Sequence, residues 1–201
     1  PDKIEDNITS KSIILITPDA ERTMCTFLGT SAILNYNDID LNILKKSKIV
    51  YLEGYLYDNN ITKKTILDIC KFCNKNKILI CLSLSDSFCV NRHKEDFYNM
   101  IRNHVDVIFG NEYEIKSLFG EILDVSINNL QKLVSEGAIT LGSKGSKVFD
   151  KKETILVESN KKVSVKDTTG AGDLFAAGYL FGMSKQFSLL QRGKLASKTA
   201  E

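Results

Sequence analysis

The sequence of 201 residues contains no tryptophan, two prolines and two histidines. No apolar run reaches the roughly 18 residues that a membrane-spanning helix requires, so no membrane partner is expected. No secretory signal is read at its start. No basic stripe with interleaved aromatics is present, and 27 Lys+Arg against 25 Asp+Glu leave a net charge of only +2. Nucleic acid is therefore not an expected partner. There is no internal repeat, linker or low-complexity stretch, which leaves one domain or part of a larger one. The five cysteines cannot all pair, and an odd count fits a reducing compartment, so a cytoplasmic protein is expected. What remains, 43% apolar and 26% charged residues, is the composition of an ordinary globular protein.

Cys70-Lys-Phe-Cys73 forms a C-x-x-C. It sits late in a helical pattern, has no second pair or nearby histidine to complete a zinc set, and follows no strand and turn as redox motifs do. Both cysteines are expected in the core. His93 and His104 stand apart in sequence from any cysteine or carboxylate cluster, and no metal held by His or Cys is expected.

Strands are expected at 12–17, 48–53, 77–84, 105–109 and 138–141, with a hairpin at 146–149 and 154–157. Residues 1–11 read as a frayed start, 18–21 as a turn, 22–28 as a strand or loop, and 162–166 as a strand end. Helices are expected from a cap at Asn37 or Asp38 to Lys46, from Asn60 to Asn74, from Asn91 to Asn103, after Asn111, over 126–135, from Gly170 to Met183 and from Ser188 onward. Apolar strands alternating with helices argue a parallel sheet covered on both faces. In such folds ligands gather at the carboxyl ends of strands. Three such places stand out: after Phe109, after Leu141 and after Lys166.

The last is the most informative. Asp167-Thr-Thr-Gly170-Ala171-Gly172-Asp173 lies where a turn becomes a helix, whose apolar residues fall at 174, 175, 177, 178 and 181. Two glycines allow positive φ and close approach of a ligand. The first N–H groups of a helix lack internal partners and carry the positive end of its dipole, which makes an anion site, most naturally for phosphate. Asp173 in the first turn has two readings: it complements the dipole, or it is a general base beside the phosphate. Asn111 and Glu114, at the turn after Phe109, read as a helix cap with an acidic first turn. Thr140-Leu-Gly142-Ser143-Lys-Gly145 reads as a turn before a hairpin. Arg22 by default is a solvated charge, and Leu28 and Phe88 read as core.

The heptad at 167–173, with the small-residue helix behind it, resembles the signature of the ribokinase-like sugar and nucleoside kinases, the PfkB family. The resemblance implies an α/β fold: a three-layer α/β/α kinase domain with a mostly parallel central sheet and part of a small β lid. Residues of about 11–30 contribute to that lid, and about 100–201 form the ATP-binding and catalytic part. The resemblance also implies roles. Gly170, Ala171 and Gly172 bind the phosphate in transit and Asp173 takes the proton from the acceptor hydroxyl. Asn111 and Glu114 match an Asn-x-x-Glu motif that organises Mg²⁺ and phosphate, Glu114 acting on the metal through water. Thr140, Gly142, Ser143 and Gly145 match a nucleotide loop for ATP, and Asp167 marks a place for a monovalent cation such as K⁺. The stretches 19–28 and 84–114 resemble adenosine kinases more closely. There Arg22 swings onto the transferring phosphate, and Leu28 and Phe88 line the nucleoside pocket.

The implied reaction is transfer of the γ-phosphate of ATP to a nucleoside, first of all the 5′-hydroxyl of adenosine. The alternatives are a sugar kinase acting on ribose, fructose or a keto-deoxy sugar, and a non-catalytic nucleotide-binding remnant. Members of the family are longer, and by this resemblance the amino-terminal third and the extreme carboxyl terminus have no counterpart in the chain. Both a monomer and a homodimer are compatible with the family.

Overall fold

The fold is described from a computed structural model, over residues 8–20, 22–159 and 165–201. Six strands form the main sheet in chain order: β3 (Ile49–Glu53), β4 (Leu79–Ser83), β5 (Val107–Asn111), β6 (Glu136–Thr140), β7 (Ser146–Asp150) and β8 (Thr154–Val157). The first four run parallel; β7 and β8 add antiparallel. Parallel neighbours need helical crossovers, and these cover one face: α2 (Asn60–Asn76), α3 (Ser87–Arg92), α4 (Lys94–His104), α5 (Glu112–Phe119) and α6 (Leu123–Leu133). The core on that side runs from Leu52, Ile80 and Ile108 in the strands to Ile66, Phe97, Ile115 and Leu130 in the helices. Cys70 and Cys73 lie in it fully buried, and burial pushes the Cys70 thiol up to about 12.

The opposite face carries α7 (Ala171–Ser184) and α8 (Leu189–Ala200), which pack on Val107, Phe109, Ala138 and Val148. The two helices touch closely because Gly178 has no side chain; a Cβ there would overlap the Thr199 hydroxyl. Their lower ends are tied to β6: Glu136 accepts from Tyr179 Oη at 2.9 Å and from Arg192 Nη1 at 2.5 Å. A separate antiparallel pair, β1 (Lys11–Ile16) and β2 (Arg22–Phe27), forms the small sheet. The sequence left 22–28 as strand or loop; the cross-strand register Ile14↔Met24 and Ile16↔Arg22 makes it a strand. The turn at 18–20 closes through Ala20 N donating to Thr17 O at 2.9 Å.

Several expected boundaries move, each for a local reason. The helix expected over 91–103 is two helices. Asp86 starts α3 by accepting from the N–H groups of Phe88 and Cys89, and His93, at φ −119°, breaks the run before α4. The short helix α1 (Leu41–Lys46) is capped by Asp40 rather than by Asn37 or Asp38, because Asp40 reaches the amides of Asn42 and Ile43. Asn59, not Asn60, caps α2, which stabilises a helix start by about 1 kcal/mol. The buried stripe of α7 is Phe175, Ala176, Gly178, Tyr179 and Gly182, whereas Leu174, Ala177 and Phe181 are exposed. Of the expected strand end at 162–166, residues 162–164 lie outside the described residues, and Val165 and Lys166 are not in a strand. The frayed start over 1–11 falls largely outside them too, and Lys11 already belongs to β1.

Candidate active site

The parallel register places the chemistry-bearing residues on one edge. Glu53 pairs with Ser83, Ser83 with Phe109, and Asn111 with Thr140, so the carboxyl ends of β3 to β6 stand in line. Beyond them come Ser85–Asp86, Asn111–Glu114 and the loop from Thr140 to Gly145. The chain opens α7 at the same edge.

At α7, Gly170 is the N-cap at φ 77°, a left-handed conformation that a side chain would strain, and no side chain caps the helix's first amides. Gly172 has no such backbone demand. A Cβ on it would meet nothing within 4 Å, and the same holds at Gly170. The fold therefore does not require glycine at 172; of the first amides of the helix, that of Ala171 donates to the Thr168 carbonyl at 3.2 Å. Asp173 is exposed in the first turn; burial raises the carboxyl of Glu53 and the hydroxyls of Tyr51 and Tyr55, and the charge of Asp173 adds a minor contribution to each. Glu53 accepts from the Ser85 hydroxyl, while burial pushes its carboxyl up.

The lid reaches this turn directly. Arg22 Nη1 donates to the Thr168 carbonyl at 3.0 Å and to its hydroxyl at 2.7 Å, across 146 residues of sequence. The Thr169 N–H donates to Asp167 Oδ1 at 2.8 Å, and the hydrogen bonds from Thr169 hold that exposed carboxyl below the usual carboxylate range.

Asn111 and Glu114 form a reciprocal cap. Asn111 Oδ1 accepts from Glu114 N at 2.9 Å, and the Glu114 carboxylate accepts from Asn111 N at 2.9 Å and from Asn111 Nδ2 at 2.8 Å. Glu114 is only 6% exposed, and desolvation lifts its carboxyl to about 7, helped by the charges of Asp86 and Glu53. A divalent cation among these three carboxylates would offset that charge. Because both Glu114 oxygens already accept hydrogen bonds, the fit is through water, as Mg²⁺ commonly binds.

The loop after β6 turns at Gly142, φ 58°, with nothing within 4 Å of a would-be Cβ. The Ser159 hydroxyl donates to the Ser143 carbonyl and so fixes the loop to the end of β8. Beside it opens a cleft of about 470 Å³ lined by Val157, Glu158, Ser159, Lys194, Ser197 and Lys198.

The structure thus brings together Arg22 with the 167–173 turn, Asn111 with Glu114, and Ser143 with Ser159, which lines the cleft beside α8. Leu28 and Phe88 are not core residues as the sequence suggested: Leu28 is half-buried and Phe88 is 74% exposed. Tyr51 and Glu53 are absent from the sequence reading as site residues, and Ser85 and Asp86 enter it only within the stretch 84–114. The sequence signal of Glu53 is a lone carboxylate ending an apolar strand. A second correction concerns His93, expected to stand apart. Its Nε2 lies 3.0 Å from Asp58 Oδ1, and Cys89 lies with them, because the turn after β3 folds against α3.

The chain matches the family described as pfkB family carbohydrate kinase over residues 2–201. The ribokinase of Lactococcus lactis subsp. lactis is 33% identical over 153 residues, covering 76% of this chain and 46% of its own length. The solved adenosine kinase from Sinorhizobium meliloti superposes with a TM-score of 0.91 at 36% identity, covering 96% of this chain and 59% of that one. A probable sugar kinase protein from Rhizobium etli CFN 42 gives 0.90 at 34%, covering 95% and 58%. The chain spans about half the length of the curated relatives it matches. With its mostly parallel sheet, its glycine turn and these likenesses, the chain belongs to the pfkB family of carbohydrate kinases.

Proposed function

We propose that the chain carries the phosphoryl-transfer part of an ATP-dependent kinase that phosphorylates a hydroxyl of a nucleoside, the 5′-hydroxyl of adenosine in the first instance. The observation that carries this reading is the open surface at Gly170 and Gly172, where an added Cβ would meet nothing within 4 Å, at a helix start that no side chain caps, that carries Asp173 in its first turn and that Arg22 reaches through Thr168. Glycine at 172 is explained by a ligand and by nothing in the fold.

Bound ATP with Mg²⁺ supplies the phosphoryl group and neutralises part of its charge. The amides from Gly170 to Gly172 donate to phosphate oxygens, whose charge the helix dipole favours. Arg22 transfers from Thr168 to the same anion. Asp173 accepts the proton of the attacking hydroxyl at its carboxylate. Glu53, held by Ser85, accepts a hydrogen bond from another hydroxyl of the acceptor, and Leu28 and Phe88 flank the base. Asn111 and Glu114 hold the metal through water. Thr140, Gly142, Ser143 and Gly145 support the nucleotide, whose base lies in the α8 cleft. Asp167 is the proposed neighbour of a monovalent cation, K⁺. The protein is proposed to work in the cytoplasm.

Adenosine ranks first because the Sinorhizobium meliloti adenosine kinase shares 36% identity over nearly the whole chain. A sugar acceptor is the second reading, supported by the 33% identity to a ribokinase. The deciding experiment follows ADP release with adenosine, inosine, ribose, fructose and keto-deoxy sugars offered separately. Turnover on adenosine alone supports the first reading, and turnover on a free sugar replaces it. No turnover on any acceptor, with nucleotide still bound, leaves a binding remnant.

A further inference from the structure

On the helical side of the sheet, away from the glycine turn, three metal-ligating side chains of different chemistry converge. Asp58 ends the turn that follows β3. Cys89 lies in α3 and His93 closes it, four residues on, with His93 N donating to Cys89 O at 3.1 Å. That spacing sets both side chains one helical turn apart on one side. One ligand atom from each of Asp58, Cys89 and His93 lies within 4.8 Å of the others, and the Asp58 Oδ1 to His93 Nε2 separation is 3.0 Å. Tetrahedral Zn²⁺ bonds of about 2.0–2.3 Å put ligand atoms roughly 3.3–3.6 Å apart, so closure needs only side-chain adjustment.

We propose that Asp58, Cys89 and His93 bind one divalent cation of the borderline-soft class, Zn²⁺ fitting best, with a fourth position left to water. The other nitrogen of His93, Nδ1, stands 4.0 Å from Asp96 Oδ2, and Lys63 in turn holds Asp96. A carboxylate behind the ligating histidine is the arrangement that fixes its ring and raises its basicity. Binding exchanges the Cys89 S–H bond for a sulfur–metal bond and releases that proton to solvent. The competitor already in place is Arg92, whose Nη2 donates to Asp58 Oδ2 at 2.5 Å and whose Nε donates to Oδ1 at 3.1 Å. The metal therefore takes Oδ1 while Arg92 keeps Oδ2, and the nearby guanidinium weakens the site. Occupied, the site would pin the turn that follows Glu53 to the helix that begins at Asp86, two segments of the carboxylate edge.

The test titrates the purified protein with Co²⁺ alone, without nucleotide, in a Cys25→Ser background that removes the exposed thiol. One Co²⁺ per chain with a near-ultraviolet thiolate-to-cobalt charge-transfer band, bleached by Zn²⁺, is expected. His93→Gln, at a half-buried ring that packs edge-on against Tyr57, should weaken binding at least tenfold in a protein whose circular dichroism shows it folded. Arg92→Gln should tighten it several-fold. Absence of the band, a band indifferent to His93→Gln, or weaker binding in a folded Arg92→Gln protein would each overturn the assignment. The readout is independent of kinase turnover, so the proposal stands or falls apart from the reaction proposed above.

Discussion

Replacing Glu114 by glutamine should make the protein more stable at alkaline pH and less active. Burial lifts the Glu114 carboxyl from 4.5 to about 7, which corresponds to about 3 kcal/mol against its ionised form at about 1.4 kcal/mol per pH unit. The sign follows from linkage. Below pH 4.5 the group is protonated folded and unfolded, and nothing is lost. As the pH rises towards 7 the unfolded chain ionises first, and stability drains away. Glutamine removes the charge but can accept only one of the two hydrogen bonds that Asn111 donates to the carboxylate, at a cost of about 1 kcal/mol. The net at pH 8 is a gain of about 2 kcal/mol, or about 4–8 °C in melting temperature for a chain of this size. Near pH 5, where most of the penalty is absent in the parent, the two proteins should melt together. Urea denaturation at pH 5 and pH 8, with and without Mg²⁺, measures this. Mg²⁺ should stabilise the parent at pH 8 and leave the variant nearly unmoved. A variant less stable than the parent at pH 8 would refute the burial argument, and equal stabilisation of both by Mg²⁺ would refute the placement of the cation.

Three further substitutions separate catalysis from folding. Asp173→Asn should lower kcat by on the order of 10²–10⁴-fold, the range for losing a general base, while an exposed first-turn position keeps the melting temperature within a few degrees. Gly172→Ala should raise stability slightly, by up to about 1 kcal/mol, since alanine is the better helix former and its Cβ meets nothing within 4 Å. The same Cβ enters the proposed phosphate space, so the KM for ATP should rise on the order of tenfold or more, about 1.4 kcal/mol of binding. An unaltered KM would remove the phosphate from this turn. Arg22→Ala should cut kcat on the order of 10²-fold, as loss of one transition-state donor does, with nucleotide affinity measured by calorimetry changing far less.

What the sequence disclosed is what was contiguous in it. The heptad at 167–173 compresses an N-cap, an anion site and a carboxylate into one turn, so local chemistry sufficed to read it. Asn111 and Glu114 were legible for the same reason, being partners three residues apart. Strand and helix alternation was legible because parallel strands buried on both faces are apolar throughout, as Val107, Ile108 and Phe109 are. Glu53 was not, because the groups that give it meaning, Ser85 and Asp173, lie 32 and 120 residues on, and only the sheet register aligns them. His93 and Cys89 were misjudged because Asp58 reaches them through the tertiary packing of a turn. The break between α3 and α4 was hidden because Asp86 caps a helix of only six residues, too short to show a periodicity.

The lid poses the sharpest question of energetics. A two-stranded ribbon is marginal by itself in water, and nearly every residue of β1 and β2 is exposed. Register puts Ile14, Ile16, Met24 and Arg22 on one face and Ile13, Leu15 and Cys25 on the other. Arg22 belongs to the first face, and its two hydrogen bonds end on a neutral carbonyl and a neutral hydroxyl of Thr168. Both are exposed and compete with water, so each contributes near the low end of the usual range of roughly 0.5–1.5 kcal/mol. A phosphate bound at the start of α7, as proposed above, would offer the guanidinium charged, bidentate acceptor oxygens, roughly twice as strong per bond. Arg22 would therefore gain by leaving Thr168 for such an anion, and its present contact holds it beside the turn it is proposed to serve.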